Sequence, residues 1–306
     1  MTTILLLEQI LNGLQFGVML FLMAAGLTLV FGVMGLINLA HGSLFMVGAF
    51  AAAAVAGWSG SFLLALVAAL AAAAAAGALI EVVVLRRLYA RDHLDQVLAT
   101  FALILIFSES TRWLFGSFPL YLNIPEAISG PVTLFGGMQY SAYRLVLIGI
   151  GLLVAVGLFL LISRTRLGIQ IRAGESDREM IAALGVDINR LYTIVFAIGA
   201  GLAGLAGALI GALQSVQVGM GEPVLILAFV VIIIGGIGSI KGALIGSILV
   251  GLTQTLGALF LPLLLGLFME PSEAASIGSA LASMSIYILM ATVLVIKPTG
   301  LFGERT

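Results

Sequence analysis

The chain has 306 residues, 62% hydrophobic and 9% charged, with 13 Lys and Arg against 14 Asp and Glu; its mean hydropathy is +1.25. A soluble domain carries about 25% charged residues, so this composition cannot make a polar shell, and the near-neutral balance excludes nucleic acid, which needs a basic stripe. Roughly 190 apolar residues, at about 20 per crossing, suffice for at most nine or ten membrane helices.

Apolar stretches fall at 9–34, 44–57, 61–85, 96–115, 145–162, 192–212, 223–236, 243–261 and 281–297. They are continuous rather than alternating, and lipid demands that backbone groups be satisfied within the segment. The prediction is an all-α polytopic transmembrane bundle of about 8–10 spans, some short or broken. The first stretch ends at a glycine-punctuated break, Gly35 to Ser43, which holds Asn38 and His41. The next, 44–57, is about 21 Å long as a helix, short of about 30 Å of hydrocarbon.

Residues 65–78 are nearly all alanine, and Gly201, Gly204, Gly207 and Gly211 share a helix face further on; both patterns predict close helix packing. The stretch 223–236 repeats the length deficit and ends in a second break, Gly235-Gly236-Ile237-Gly238-Ser239-Ile240-Lys241-Gly242. Shifted by 200 residues, Gly35 aligns with Gly235 and Gly42 with Gly242. Corresponding breaks in two halves point to a transporter's solute region. They place the candidate pathway at Asn38, His41, Gly42, Gly235, Gly236, Gly238 and Ser239, within one permease domain of repeat halves 8–160 and 190–300. Asn38 and His41 either contact solute or cap the freed helix ends.

Eleven of the thirteen basic residues sit in the connections around Arg86–Arg91, 163–191 and Lys241, and from Lys297 onward. The positive-inside rule makes these cytoplasmic, and alternation then predicts an extracytoplasmic N-terminus and a cytoplasmic C-terminus. Within 163–191, Ser176 and Glu179 have capping-box spacing, so a short helix should start at Asp177 and stop at Gly185. Met180, Ile181 and Leu184 give it an apolar face. An isolated helix this short is marginal in water, so that face needs the bundle or a partner to pack on.

The chain has no cysteine and only two histidines, which leaves no basis for a thiolate or histidine metal site. The nearest approach to a phosphate loop has Ile240 where the second glycine is required, and no nucleophile–base set stands out. The chain is therefore not expected to be an enzyme or to bind ATP. The spans are almost free of ionisable groups, Glu81 lying near one end, whereas a proton-driven carrier usually needs such groups within the membrane.

Four ordered blocks, Phe31 to Gly42, Arg164-Thr165-Arg166-Leu167-Gly168 with Ala182 to Val186, Gly235 to Ser239 with Gly242-Ala243, and Pro298 to Gly303, cover nearly the whole chain. Together they resemble the permease subunit of branched-chain amino-acid ABC importers, the H-type member of the Liv system. The resemblance implies a bacterial inner-membrane protein working with a second, homologous but different permease, two cytoplasmic ATP-binding subunits that hold ATP and Mg, and an extracytoplasmic solute-binding protein. It also implies that the loop docks on the ATPase, through Glu175, Ser176, Glu179, Met180, Ile181, Ala183, Leu184 and Gly185. The rival reading is a secondary carrier or facilitator acting alone. Solute identity is not encoded here, because relatives of this kind move amino acids, amides, urea and small organic acids.

Overall fold

The computed structural model of the chain describes residues 3–89 and 91–303. All nine apolar stretches are helices: α1 (Thr3–Met34), α2 (His41–Ser59), α3 (Phe62–Val83), α4 (His93–Phe115), α6 (Ala142–Arg164), α9 (Ile188–Gly211), α10 (Gly221–Gly235), α11 (Ile240–Leu265) and α12 (Pro271–Ile296). Eight are long and apolar enough to cross a membrane; α10, at 15 residues, is the short one. Between them lie α5 (Glu126–Ser129), an antiparallel pair β1 (Pro131–Thr133) and β2 (Gln139–Ser141), and two further helices, α7 (Arg166–Ser176) and α8 (Arg178–Ala183). The fold is an all-α polytopic bundle.

One expectation fails at α2. Its apolar core was 44–57, but the helix runs 19 residues, about 28 Å, because His41, Gly42 and Ser43 at one end and Trp58 and Ser59 at the other continue the same backbone.

The residues group into two compact units. One takes the chain up to Phe21, Pro125–Leu152 and Phe229 onward; the other takes Leu22–Ile124 and Leu153–Ala228. In the second unit α9 is the central post. The alanine-rich α3 turns Ala65, Ala69, Ala73 and Gly77 inward, and the Gly204 backbone meets Ala69 and Ala73 on one side and Gly48 of α2 on the other. A methyl group at Gly48 would overlap the Gly204 backbone. Without a hydrophobic force between helices in lipid, such backbone-to-backbone contact supplies the van der Waals attraction that holds them. In the first unit Gly17 of α1 lies on the Ser247 and Ile248 backbone of α11, and Gly278 of α12 lies on Pro262 of α11. Asn12 accepts hydrogen bonds from Tyr140 and Arg144, which ties α1 to the β2–α6 corner.

Candidate functional site

The first break is largely buried. Gly35, with φ +64°, stops α1, and its N–H reaches the Phe31 carbonyl at 2.8 Å. The chain then folds back: His41, the first residue of α2, sits beside the Met23 carbonyl of α1. Met23 is eleven residues from the end of α1, about 16 Å along the helix. The connection 36–40 is correspondingly buried or half-buried. Asn38 Oδ1 accepts from the Ala40 N–H at 3.0 Å, which holds a turn just ahead of α2 and is not a side-chain cap of that helix, and Asn38 Nδ2 has no partner. Both ring nitrogens of His41 also lack one, and the two side chains are fully buried. Unpaired buried polar groups are uncommon and costly.

Gly42, in the first turn of α2, lies against the backbone of Gly221, the first residue of α10. Between α9 and α10 the chain dips inward: Val216 is fully buried against Met46, Ala49 and Phe50 of α2, and Glu222 and Pro223 belong to the first turn of α10.

At the second break α10 stops at Gly235, followed by Gly236 at φ +101° and Gly238 at φ +82°. Ser239 Oγ accepts from the Gly242 N–H at 3.0 Å and so caps α11. The carbonyls of Ile234 and Gly235, freed by the helix end, accept from the N–H groups of Leu301 and Phe302 at 2.8 Å each. Lys297 Nζ donates to the Leu301 carbonyl at 2.6 Å, which steadies the turn. Two blocks that the sequence showed separately, Gly235 to Ser239 and Pro298 to Gly303, are thus two faces of one joint.

The basic loop holds more helix than expected. Thr165 caps α7 through the Gly168 N–H, and α7 buries Gly168, Ile171 and Gly174. The Ser176 capping box is not formed. Ser176 ends α7, and Asp177 Oδ1 caps α8 instead, accepting from Glu179 and Met180 N–H at 3.0 and 2.9 Å; the carboxylate one position later reaches both amides. Gly185 takes φ +89° as expected. The apolar residues of α8 and its C-terminal cap divide: Ile181 is 5% exposed, whereas Met180 and the cap residue Leu184 are 59% and 77% exposed. Glu175, Ser176, Glu179, Ala183 and Gly185 are exposed around them. A cleft of about 250 Å³ opens beside them, lined by Leu167, Gln170, Gly185, Val186, Asp187 and Arg190 among others.

Sequence reasoning missed a buried ionic cluster. Glu81 on α3 is fully buried and accepts from Arg86 Nη2 at 2.9 Å, Tyr89 Oη at 2.9 Å and Thr193 Oγ1 at 2.6 Å. Burial, and then the Glu81 charge, hold the Tyr89 hydroxyl above the ordinary tyrosine range. The cluster joins α3 to the start of α9, a few residues beyond α8. The i, i+5 spacing of Glu81 and Arg86 was a visible signal; Thr193, 112 residues away, was not. Among the described residues no group of three or more His, Cys, Asp or Glu could hold a metal ion.

Eight helices long and apolar enough to cross a membrane define a multi-pass membrane protein. The chain matches the family described as branched-chain amino acid transport system / permease component over residues 9–294, and it belongs to that family. It is 32% identical to the high-affinity branched-chain amino acid transport permease BraD of Pseudomonas aeruginosa, over 97% of this chain and 96% of that one. It is 28% identical to LivH of Salmonella typhimurium over the same shares, and 27% identical to the probable LivH permease of Methanocaldococcus jannaschii over 93% and 89%. No solved structure matches it.

Proposed function

We propose that the chain is a membrane-spanning subunit of an ATP-driven importer that translocates branched-chain or related amino acids. It carries no ATPase of its own and is not an enzyme. It works with a second, homologous permease, two ATP-binding subunits that hold ATP and Mg, and an extracytoplasmic binding protein that delivers the solute. The basic connections are cytoplasmic, as is the C-terminus, and the N-terminus is outside. The solute class follows the printed names of the relatives BraD and LivH.

The observation that carries this reading is α8. Asp177 caps it, Ile181 anchors it, and Met180 and Leu184 point away from the chain. Exposed apolar tips on a short, anchored helix are suited to a hydrophobic pocket on a partner, with Glu175, Ser176, Glu179, Ala183 and Gly185 around them. Movement of that partner would push α8 and, through it, α9. The pathway runs by the first break, past Asn38, His41 and Gly42, where polar atoms remain unused. Gly235, Gly236, Gly238 and Ser239 shape the corresponding joint of the other repeat half.

Leu184→Asp tests the reading in the assembled transporter. ATP-coupled uptake should fall about tenfold or more while the unfolding temperature holds, since the side chain is 77% exposed. Unchanged uptake would overturn the docking role.

A further inference from the structure

The buried cluster around Glu81 has no part in the pathway or in docking as described above. Glu81 lies two residues before the end of α3 and is fully buried. A buried carboxylate persists only when its charge is paired and its oxygens are bonded. Here the partners come from separate segments: Arg86 Nη2 at 2.9 Å and Tyr89 Oη at 2.9 Å from the turns after α3, and Thr193 Oγ1 at 2.6 Å from the start of α9. Thr193 Oγ1 also accepts from Arg86 Nη2 at 2.8 Å, which closes a triangle of three side chains.

Charge-assisted hydrogen bonds of this kind are strong and directional. The contact between α3 and α9 further along the two helices is of another sort. It is made largely by Ala69, Ala73 and Gly77 against Gly204 and Ala200. Small side chains let two helices approach closely, but they interlock little and so oppose sliding and rotation weakly. The Glu81 triangle therefore sets the register of α9 on α3.

Two further contacts bring in the end of α1. The Tyr89 ring meets Tyr192 of α9 edge-on, with centroids 5.2 Å apart. Its hydroxyl lies 3.8 Å from the sulfur of Met34, the last residue of α1 before Gly35. On the side of the basic loop, α7 packs at Gly174 onto Leu191 of α9, and a methyl group there would also come within 4.0 Å of Val33. The ends of α1 and α3 and the start of α9 thus gather at one place. The chain enters it from α8 through the Asp187 cap of α9, and leaves the end of α1 into the first break.

We propose that Glu81 is a positioning residue for coupled transport: it clamps the start of α9 to the ends of α3 and α1, so that displacement of α8 reaches the first break. This rests on the docking reading of α8 above and names the group that carries the motion onward. With the clamp intact, a push on α9 moves three segments together. Without it, α9 slides along its smooth contact with α3; the partner subunits still hydrolyse ATP, and solute is not moved.

The test uses the full transporter in proteoliposomes and reads L-leucine uptake and ATP hydrolysis in one preparation. Thr193→Val keeps the shape of its side chain and removes the hydroxyl; Glu81→Gln keeps the shape and removes the charge. Each should lower the leucine moved per ATP about fivefold while hydrolysis stays within about twofold of wild type. Glu81→Gln leaves Arg86 without its partner charge, so Glu81→Gln combined with Arg86→Gln, which removes both charges, serves where the single variant does not assemble. That pair should assemble and show the same fall. A purely structural role would lower uptake, hydrolysis and the amount of complex together and leave the ratio as it was. An unchanged ratio in Thr193→Val and in the charge-free pair, beside a Leu184→Asp variant that loses uptake, would overturn the clamp alone. Unchanged uptake in Leu184→Asp would overturn the docking reading, and the clamp with it.

Discussion

The two glycine breaks look alike in sequence and are built for opposite ends. Each ends a helix with a positive-φ glycine, Gly35 in one and Gly236 in the other, and each starts a new helix within a few residues. At the second, the groups freed by the break have partners from the chain itself: Leu301 and Phe302 for the carbonyls, Ser239 for the amide of Gly242. At the first, Asn38 uses one atom to hold the turn ahead of α2, and its other polar atom and the His41 ring remain without partners. A break whose freed backbone groups are satisfied is a structural joint, although Thr299 Oγ1 beside it lacks a partner. A buried break with more polar atoms to spare supports the solute pathway proposed there.

That contrast can be broken by removing what closes the second break. Deletion of residues 298–306 would leave the Ile234 and Gly235 carbonyls without donors, a loss of roughly 2–6 kcal/mol to be read as a lowered unfolding temperature in detergent. An unchanged temperature would mean that the tail only rests on the joint. Gly236→Ala should have the next largest effect, roughly 2–4 kcal/mol, since a methyl group there would strike the Gly303 backbone in addition to straining a positive φ. Gly35→Ala should cost less, about 1–2 kcal/mol, because only the strain applies: nothing lies within 4 Å of the added carbon. Equal losses for the two would erase the distinction. Smallest in stability is His41→Leu, which should be neutral or slightly stabilising while uptake falls.

Sequence periodicity went far with the bundle and less far with the loop. All nine apolar stretches are helices because lipid leaves the backbone no other choice. The two breaks were legible as glycine runs, but the glycine with positive φ that follows the helix is Gly35 in the first and Gly236, one past the aligned Gly235, in the second. The helix α7 escaped notice because two of its three buried positions are Gly168 and Gly174, which carry no apolar signal, and arginines separate the rest. On α8 three apolar residues read as one face. At 100° per residue, however, Met180 and Leu184 lie about 40° apart while Ile181 is turned about 100° from Met180, which is why one anchors and two project. Asn38 and His41 could be singled out as polar residues at a break. The contact of neighbouring Gly42 with Gly221, far along the chain, could not, because it exists only after 213–220 dips back into the bundle.

The central claim is that a bundle without an ATPase is driven through α8. Proteoliposomes containing this chain and its partner permease, assayed for L-leucine uptake with and without the ATP-binding subunits, test it most directly. Uptake that requires those subunits and ATP, and that Leu184→Asp abolishes, is the predicted result. Equal uptake down a gradient without them would contradict the account.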